Sequence, residues 1–188
     1  IDSSCPYSAL CGGCTFRHMD YDEEKRLKAQ RVYDALTRIG GLELDGMDIL
    51  GGETTEGYRN KAQYPVAMVN GKADAGFFRQ RSHQVIPIEH CGIQSEDADR
   101  VRAATVAWMR KFRVPVYDET AHKGLVRHIY VRCAFKTGEI LACIVANGQK
   151  LPHEQELVEY LREGVPGLKT VVLAVNTRQG NAVLGREF

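Results

Sequence analysis

Three of the six cysteines of this chain fall in one short stretch, CPYSALCGGC, at positions 5–14. Cys5, Cys11 and Cys14 have the spacing C-x5-C-x2-C, so three thiolates of one loop can surround a single metal centre. Gly12 and Gly13 allow the backbone to turn tightly between these ligands, because glycine adopts conformations that other residues avoid. The residue types and their spacing therefore predict a metal site.

A fourth ligand is expected from elsewhere, because tetrahedral zinc and [4Fe-4S] clusters both favour four protein ligands. Cys91, in PIEHCGI, is the strongest candidate, since it follows a predicted strand and precedes a predicted helix cap. His18 and His90 are the alternatives for this position. Cys133 and Cys143 lie in apolar strand-like runs, where cysteine is usually a small buried hydrophobe.

The spacing leaves the metal open between iron–sulfur and zinc. Zinc sites usually combine two C-x2-C-like pairs, or a cysteine pair with a histidine pair. Here a single C-x2-C pair is accompanied by one cysteine five residues further out and by a remote fourth ligand, which favours a [4Fe-4S] cluster. A disulfide framework is not expected, because the chain shows no secretory signal and cytosolic thiols are kept reduced.

The secondary-structure elements that must position these cysteines are single helices that alternate with pairs of strands. Periodicity and capping signals predict helices at about 20–39, opened by Asp20 or Asp22, at 95–113 and at 152–163. The first helix has an apolar stripe at helical spacing, made of Ala29, Val32, Tyr33, Leu36 and Ile39. The second has a predicted buried stripe made of Val101, Thr105, Trp108 and Phe112.

Three hairpins are predicted between and after these helices. The pair Asn70-Gly71 forms the first turn, which places Val69 opposite Lys72. Pro65 cannot donate to a strand ladder, so its strand is expected at a sheet edge or bulged there. The second hairpin turns at 137–138 and the third at 177–180, between LKTVVLAVN and GNAVLGREF.

This order of elements predicts an α+β fold, with helices packed on a mainly antiparallel sheet. We expect a cysteine-rich iron–sulfur loop at 1–19 and a central α+β domain at 20–188. The chain starts at Ile1 rather than Met and stops in a strand-like stretch, so we interpret it as a fragment of a longer protein.

Composition excludes some classes of protein. With 44% hydrophobic and 26% charged residues, the chain has the composition of an ordinary globular protein. Its net charge of +1 gives no indication of a nucleic-acid partner. No apolar run approaches the roughly 20 residues of a membrane helix. We therefore expect a cytoplasmic monomer with no membrane partner.

The stretches CPYSALCGGCTFRHMDYDEEKRLKAQRV, YRNKAQYPV and HCGI together resemble the iron–sulfur-containing RNA (uracil-5-)-methyltransferases. That family includes the bacterial 23S ribosomal RNA 5-methyluridine enzymes. Its C-P-x4-C-G-G-C loop and a remote downstream cysteine hold a [4Fe-4S] cluster, and here 76 residues separate Cys14 from Cys91. The resemblance implies that Cys5, Cys11, Cys14 and Cys91 are the cluster ligands. It is close over 1–90 and looser over 95–188, where it depends on LVRHIYVR.

The resemblance implies a parent enzyme that transfers a methyl group from S-adenosylmethionine (SAM) to C5 of uracil, with 23S rRNA as the expected substrate. This chain contains neither G-x-G-x-x-G nor D-P-P-R. We therefore expect the SAM-binding Rossmann-like domain to be absent, no catalytic residue to lie in this chain, and the chain alone to be inactive. The alternative is a free-standing zinc-binding module for RNA or protein interaction, without catalysis.

RNA binding by this part of the enzyme would need basic groups near a phosphate path and aromatic groups for unstacked bases. Residues 57–82 carry five basic side chains against one acidic side chain, a local charge of +4. The register of the first hairpin places four of the basic groups near one another at its open end: Arg59, Lys61, Arg79 and Arg81. Arg127 and His128 form a second candidate patch. Ordinary solvated strand surface is the alternative for both patches.

Overall fold

The structure, a computed structural model, describes residues 4–185 and 188. Within that part of the chain the α-helices are α1 (Tyr21–Asp34), α2 (Glu96–Phe112) and α3 (Glu154–Gly164), and a π-helical turn, Ala35–Ile39, continues α1. The strands are β1 (Lys61–Val69), β2 (Lys72–Phe78), β3 (Val85–Pro87), β4 (Val126–Ala134), β5 (Glu139–Ala146) and β6 (Leu168–Val175). They form one six-stranded sheet in the order β3-β2-β1-β4-β5-β6.

The first hairpin has the predicted turn and register. β1 and β2 are antiparallel with Val69 opposite Lys72. Asn70 and Gly71 have φ values of 49° and 76°, the two positive angles that a tight hairpin turn requires. The second hairpin, β4–β5, is also antiparallel, with Ala134 opposite Glu139.

Pro65 lies in a central strand, so the prediction of an edge strand was wrong. β1 pairs with β4 over residues 61–65 and with β2 over residues 66–69. The pairing therefore changes from one neighbour to the other at the residue that has no N–H to donate.

β6 corrects the predicted fold class. It pairs parallel with β5, with Ile144 opposite Leu173, and the chain returns to this edge through α3. The unit β5-α3-β6 is the crossover that parallel neighbours need. The predicted α+β fold with a mainly antiparallel sheet was therefore wrong, because the sheet is mixed and includes a parallel βαβ unit.

The predicted third hairpin is not present in the described residues, because the chain after β6 folds into a loop instead of turning into another strand. The side-chain amide of Asn176 donates to the carbonyls of Ala182 and Val183 at 2.7 and 3.0 Å, which folds the segment into a loop. In the described part of 180–188 there is no strand, and residues 186–187 of the predicted strand lie outside the described residues.

The main core lies between the sheet and helices α2 and α3. The predicted α2 stripe is confirmed, since Val101, Thr105 and Trp108 are buried and Phe112 packs partly buried against the core. The indole Nε1 of Trp108 donates to the carbonyl of His153 at 2.9 Å, which joins α2 to the start of α3. Because α2 is packed against the sheet and bonded to α3, the loop that leads into α2 is held in a fixed position.

Cys133 and Cys143 are buried in β4 and β5, as predicted. Burial raises the pKa of the Cys143 thiol to about 11, as expected for a thiol enclosed by apolar neighbours. Both positions behave as small core side chains.

Helix α1 lies outside this core. Asp20 is its cap, because the Asp20 side chain accepts the Asp22 amide at 2.9 Å. No α1 residue is buried, and Val32 and Ile39 of the apolar stripe are 49% and 88% exposed. Among the described residues, no helix combines the length and hydropathy of a membrane span.

Candidate metal centre and nucleic-acid interface

The N-terminal cysteine loop is wound by short-range backbone hydrogen bonds. The amide of Ser8 donates to the carbonyl of Cys5 at 3.1 Å, and the amide of Cys11 donates to the carbonyl of Tyr7 at 2.7 Å. These turns reverse the chain between Cys5 and Cys11 and so shorten the distance that separates them along the loop.

The loop is docked on the end of β2. Cys11 forms an isolated antiparallel bridge with Arg79, and the amide of Gly12 donates to the carbonyl of Phe78 at 3.0 Å. A Cβ on Gly12 would lie 3.0 Å from the Cα of Gln80. Gly12 does not have a positive φ, so glycine is needed here for close backbone approach rather than for an unusual conformation.

Cys91 lies in the loop between β3 and α2, as its position before the Ser95 cap predicts. The amide of Gln94 donates to the carbonyl of Cys91 at 3.0 Å and closes a turn. The Tyr7 hydroxyl accepts the Glu89 amide at 3.2 Å, which joins the N-terminal loop to the Cys91 loop.

The four predicted metal ligands line one cavity of about 370 Å³: Cys5, Cys11, Cys14 and Cys91. Arg17, Arg59 and His18 contribute to the wall of this cavity, together with the apolar side chains of Phe77 in β2 and of Ile88, which directly follows β3. Folding therefore brings together thiols that are far apart in sequence. His90 points elsewhere, with its Nδ1 atom 3.1 Å from a carboxylate oxygen of Asp99.

The thiols of the cavity influence one another electrostatically. Burial raises the pKa of Cys14, and the neighbouring Cys11 and Cys5 raise it further, whereas Arg59 and Arg17 lower it. Burial also raises the pKa of Cys91, and the backbone amides of residues 93 and 94 oppose that shift. The raised pKa values favour the protonated forms of Cys14 and Cys91, so metal binding at these two thiols must displace their protons.

The donor set fits an iron–sulfur cluster or zinc in ligand type, because thiolate sulfur binds both. Throughout residues 4–185, and at 188, no three His, Cys, Asp or Glu side chains are already close enough to hold one metal ion. Coordination would therefore draw the four thiols inward from the positions they occupy around the cavity.

A wider groove of about 820 Å³ adjoins the cysteine cavity and shares Cys14, Arg17 and Arg59 with it. Lys28 and Tyr58 also line this groove. Arg17 is held by a 2.7 Å ion pair with Glu56, which is outside the cysteine loop in sequence. The groove thus places cations and aromatic side chains beside the cysteines, together with the carboxylates Asp20, Glu24 and Glu56.

Four of the predicted RNA-binding residues are exposed: Arg59, Lys61, Arg79 and Arg81. The amide of Arg59 donates to the carbonyl of Ile93 at 3.0 Å, so the backbone of Arg59 is fixed while its side chain lines both cavities. Lys61 lies opposite Arg132 of β4, which adds another cation to the surface.

Arg127 and His128 are buried, at 4% and 8% exposed. The guanidinium of Arg127 donates at 2.7 Å to the carbonyls of Asn176 and Arg178 and lies 4.4 Å from the centre of the Tyr117 ring. Burial, and then the charge of Arg127, lowers the pKa of His128 to about 4, so the imidazole is neutral at physiological pH. Both side chains contact protein here, and their contact with RNA stays a prediction.

Three residues of the site were not identified from the sequence: Arg17, Gln94 and Asp99. Arg17 lies within CTFRHMD and Asp99 within an ordinary acidic first turn of a helix, so neither carries a distinguishing local signal. Gln94 is 3% exposed, lines the cysteine cavity, and its Oε1 atom has no hydrogen-bond partner among the described residues.

Comparison with known proteins gives a consistent result over the whole chain. An "uncharacterized RNA methyltransferase" of Clostridium tetani is 41% identical over 187 residues, which is 100% of this chain and 41% of that protein. Another, of Caldanaerobacter subterraneus subsp. tengcongensis, is 38% identical, with the same coverage of 100% and 41%. The chain is similar to RNA methyltransferases. It spans about two fifths of the length of these curated relatives. No family model matches.

A solved structure shares the fold. The tRNA (uracil-54, C5)-methyltransferase of Pyrococcus abyssi, in complex with S-adenosyl-L-homocysteine, matches with a TM-score of 0.73 at 19% identity, over 97% of this chain and 41% of that one. Together the comparisons support the RNA methyltransferase family that the sequence resembles, without showing an iron–sulfur cluster or a preference for rRNA.

The same match corrects a further expectation. The prediction that a SAM-binding Rossmann-like domain is absent was wrong at the level of the fold, because 97% of the chain matches a methyltransferase structure and β5-α3-β6 is a parallel βαβ unit. The expectation that the chain alone is inactive likewise has no support from this match.

Proposed function

We propose that this chain is part of a SAM-dependent RNA (uracil-5-)-methyltransferase that forms 5-methyluridine in 23S rRNA. In this proposal Cys5, Cys11, Cys14 and Cys91 hold a [4Fe-4S] cluster in the loop 1–19 and at the edge of the domain 20–188. The observation that carries it is the cavity that all four cysteines line together with two arginines, in a chain similar to RNA methyltransferases. When bound, the cluster would supply a rigid cross-link between loop and sheet.

The electrostatics of the cavity support an anionic group at this place. A cluster ligated by four cysteinates carries net negative charge, and Arg17 and Arg59 both favour the charged form of Cys14. The two guanidinium groups would offset the charge of the bound group while keeping part of their surface in the adjoining groove. Metal binding and the shape of the RNA surface would therefore be linked through Arg59.

The groove and the end of the first hairpin form the proposed RNA surface. Arg59, Lys61, Arg79 and Arg81 would contact phosphates, which attract basic side chains in any sequence context. Tyr58, half exposed beside Arg59, would stack on an unpaired base. We assign binding and orientation of the substrate to these side chains, and we assign none of the described residues to attack on C6 or to proton removal from C5.

The metal assignment is tested by anaerobic purification, followed by iron, sulfide and zinc analysis and an absorption spectrum. We expect brown protein with about four irons and four sulfides per chain. Cys91→Ser should lose most of the iron, whereas Cys143→Ala, which removes a buried thiol away from the cavity, should keep it. One zinc without sulfide would contradict the cluster and favour a zinc-binding interaction module.

The activity is tested with the protein carrying whatever sequence flanks this chain in its gene. Unmodified 23S rRNA and tRNA transcripts are incubated with methyl-labelled SAM, and the labelled nucleoside is identified after digestion. We expect 5-methyluridine in the 23S transcript. Label confined to tRNA would contradict the rRNA assignment, and absence of labelled 5-methyluridine from both transcripts would contradict the uracil-5 chemistry.

A further inference from the structure

Asp99 is a buried carboxylate in the first turns of α2, only 7% exposed. Its Oδ1 atom accepts a hydrogen bond from the Tyr64 hydroxyl at 2.9 Å. Its Oδ2 atom accepts the backbone N–H of Cys91 at 3.0 Å and lies 3.1 Å from Nδ1 of His90. Two hydrogen-bond donors and one histidine ring nitrogen, from two other parts of the chain, therefore converge on one carboxylate.

A carboxylate removed from water is costly unless hydrogen bonds replace its hydration. Asp99 meets this requirement, and its position near the helix N-terminus further favours negative charge. Tyr64, which anchors one oxygen, is fully buried in β1, so the carboxylate is fixed relative to the sheet. The other oxygen accepts the Cys91 N–H, so the backbone of Cys91 is held in place relative to the sheet as well.

Two further hydrogen bonds also hold the Cys91 loop in place. Arg102 of α2 donates to the carbonyl of Glu89 at 3.2 Å, and Gln94 closes the turn on the carbonyl of Cys91 at 3.0 Å. The other three cysteines belong to a loop that is docked through a few backbone contacts. Cys91 is therefore the part of the site that is attached most directly to the core.

We propose that Asp99 is a positioning residue that holds the backbone of Cys91 where the metal site needs it, with Tyr64 holding Asp99. This rests on the proposed function for the identity of the metal site. Partners placed behind metal ligands orient them and commonly change metal affinity by roughly 10–100-fold. Asp99 acts through the Cys91 amide and does not itself contact the metal.

The test compares variants of the whole protein after anaerobic reconstitution with iron and sulfide. Asp99→Ala removes the acceptor of the Cys91 amide, and Asp99→Asn keeps one oxygen that can accept it if the Tyr64 hydroxyl turns to accept from the new amide. Asp97→Ala is the matched control, because it removes an equivalent acidic group from the same helical turn, one that pairs with Arg100 instead. The readout is the rate at which the visible cluster absorption disappears on addition of an iron chelator.

We expect the cluster of Asp99→Ala to be lost roughly tenfold faster than that of the wild type. Asp99→Asn should recover most of the wild-type rate, and Asp97→Ala should match the wild type. If Asp99→Ala does not fold by circular dichroism, Asp99→Ser replaces it, with the same expected rate. Equal rates in the wild type and a folded Asp99→Ala or Asp99→Ser variant would overturn the positioning role, as would equal loss in Asp97→Ala. Failure of the wild type to take up iron and sulfide would instead count against the proposed cluster.

Discussion

The backbone N–H of Gly12 lies 3.0 Å from the carbonyl oxygen of Phe78, so the cysteine loop is bonded directly to the end of β2. A Cβ on Gly12 would lie 3.2 Å from that same oxygen and 3.0 Å from the Cα of Gln80. Both neighbours are backbone atoms, which cannot rotate away as a flexible side chain could. One of the attachments of the cysteine loop to the domain therefore requires a residue without a side chain at position 12.

Gly12→Ala is expected to loosen this attachment, because the added methyl group forces the loop away from the turn after β2. We expect a loss of roughly 1–3 kcal/mol in the free energy of unfolding, the usual cost of overpacking, and faster protease cleavage within residues 4–19. Gly13→Ala is the control, since its Cβ would meet only the Cys11 sulfur, at 3.4 Å. Equal protease resistance of the two variants would contradict the importance of the contact.

Metal-free protein is expected to lose stability as the pH rises above the ordinary thiol pKa of about 8.5. Burial raises the pKa of Cys14 and Cys91 in the folded protein. The unfolded chain therefore releases these protons at lower pH than the folded chain does, which favours unfolding as the pH increases. Thermal melting between about pH 7 and 10 should show a smaller decline for a Cys14→Ala/Cys91→Ala variant, and metal-loaded protein should also resist the change.

Arg59→Ala and Arg81→Asn are each expected to weaken RNA binding and to lower the dependence of affinity on salt by about one released counterion. Asparagine is chosen at position 81 because it tolerates the φ of 57° found there. Lys136→Ala, an exposed change in the turn between β4 and β5, is the control. Affinity is measured over a salt series on 23S fragments, with iron content checked in parallel. An unchanged salt slope in both variants would contradict the proposed surface.

His128 is expected to make the protein sensitive to acid. Its folded-state pKa of about 4 lies below the ordinary value, so the unfolded chain binds a proton first as the pH falls. Stability should therefore decrease below about pH 6.5, by up to about 3 kcal/mol near the folded pKa. Denaturant unfolding at pH 7 and pH 4.5 should show a smaller difference for His128→Gln. The same difference in both proteins would assign the acid sensitivity to other groups.

Arg127 is expected to be a stabilising residue. Arg127→Ala leaves the carbonyls of Asn176 and Arg178 without their donor, and should lower the free energy of unfolding by about 2–4 kcal/mol. Arg127→Lys keeps the charge and loses the planar group that lies over Tyr117, so it should recover only part of the loss. Denaturant unfolding measures both. An Arg127→Ala variant with unchanged stability but weaker RNA binding would instead favour a direct contact with RNA.

Much of the local structure could be predicted because its causes are also local. The caps at Asp20 and Ser95 and the turn at Asn70-Gly71 each depend on a few consecutive residues. The choice of Cys91 as the remote metal ligand also used local information, its place between a strand and a helix cap, and it stays a prediction. The structure then placed it at the cavity with the other three cysteines.

Other features depend on elements that the local pattern does not contain. The apolar residues of α1 have helical spacing, yet no α1 residue is buried, because the described helix does not pack closely on any strand of the sheet. Arg127 alternates along β4 like a solvent-facing residue, yet the carbonyls that bind it come from the segment after β6. Charge and periodicity alone give no account of such distant partners.

The sequence by itself determined the donor chemistry: thiols at a spacing suited to one metal centre, and basic side chains concentrated in the first hairpin. Only the tertiary structure decided that β6 joins β5 in parallel, that Arg59 lies between the cysteine cavity and the groove, and that Asp99 binds the Cys91 amide. Caps and turns are stabilised by neighbours in the chain, whereas strand partners and buried hydrogen bonds depend on which distant segments meet when the core packs.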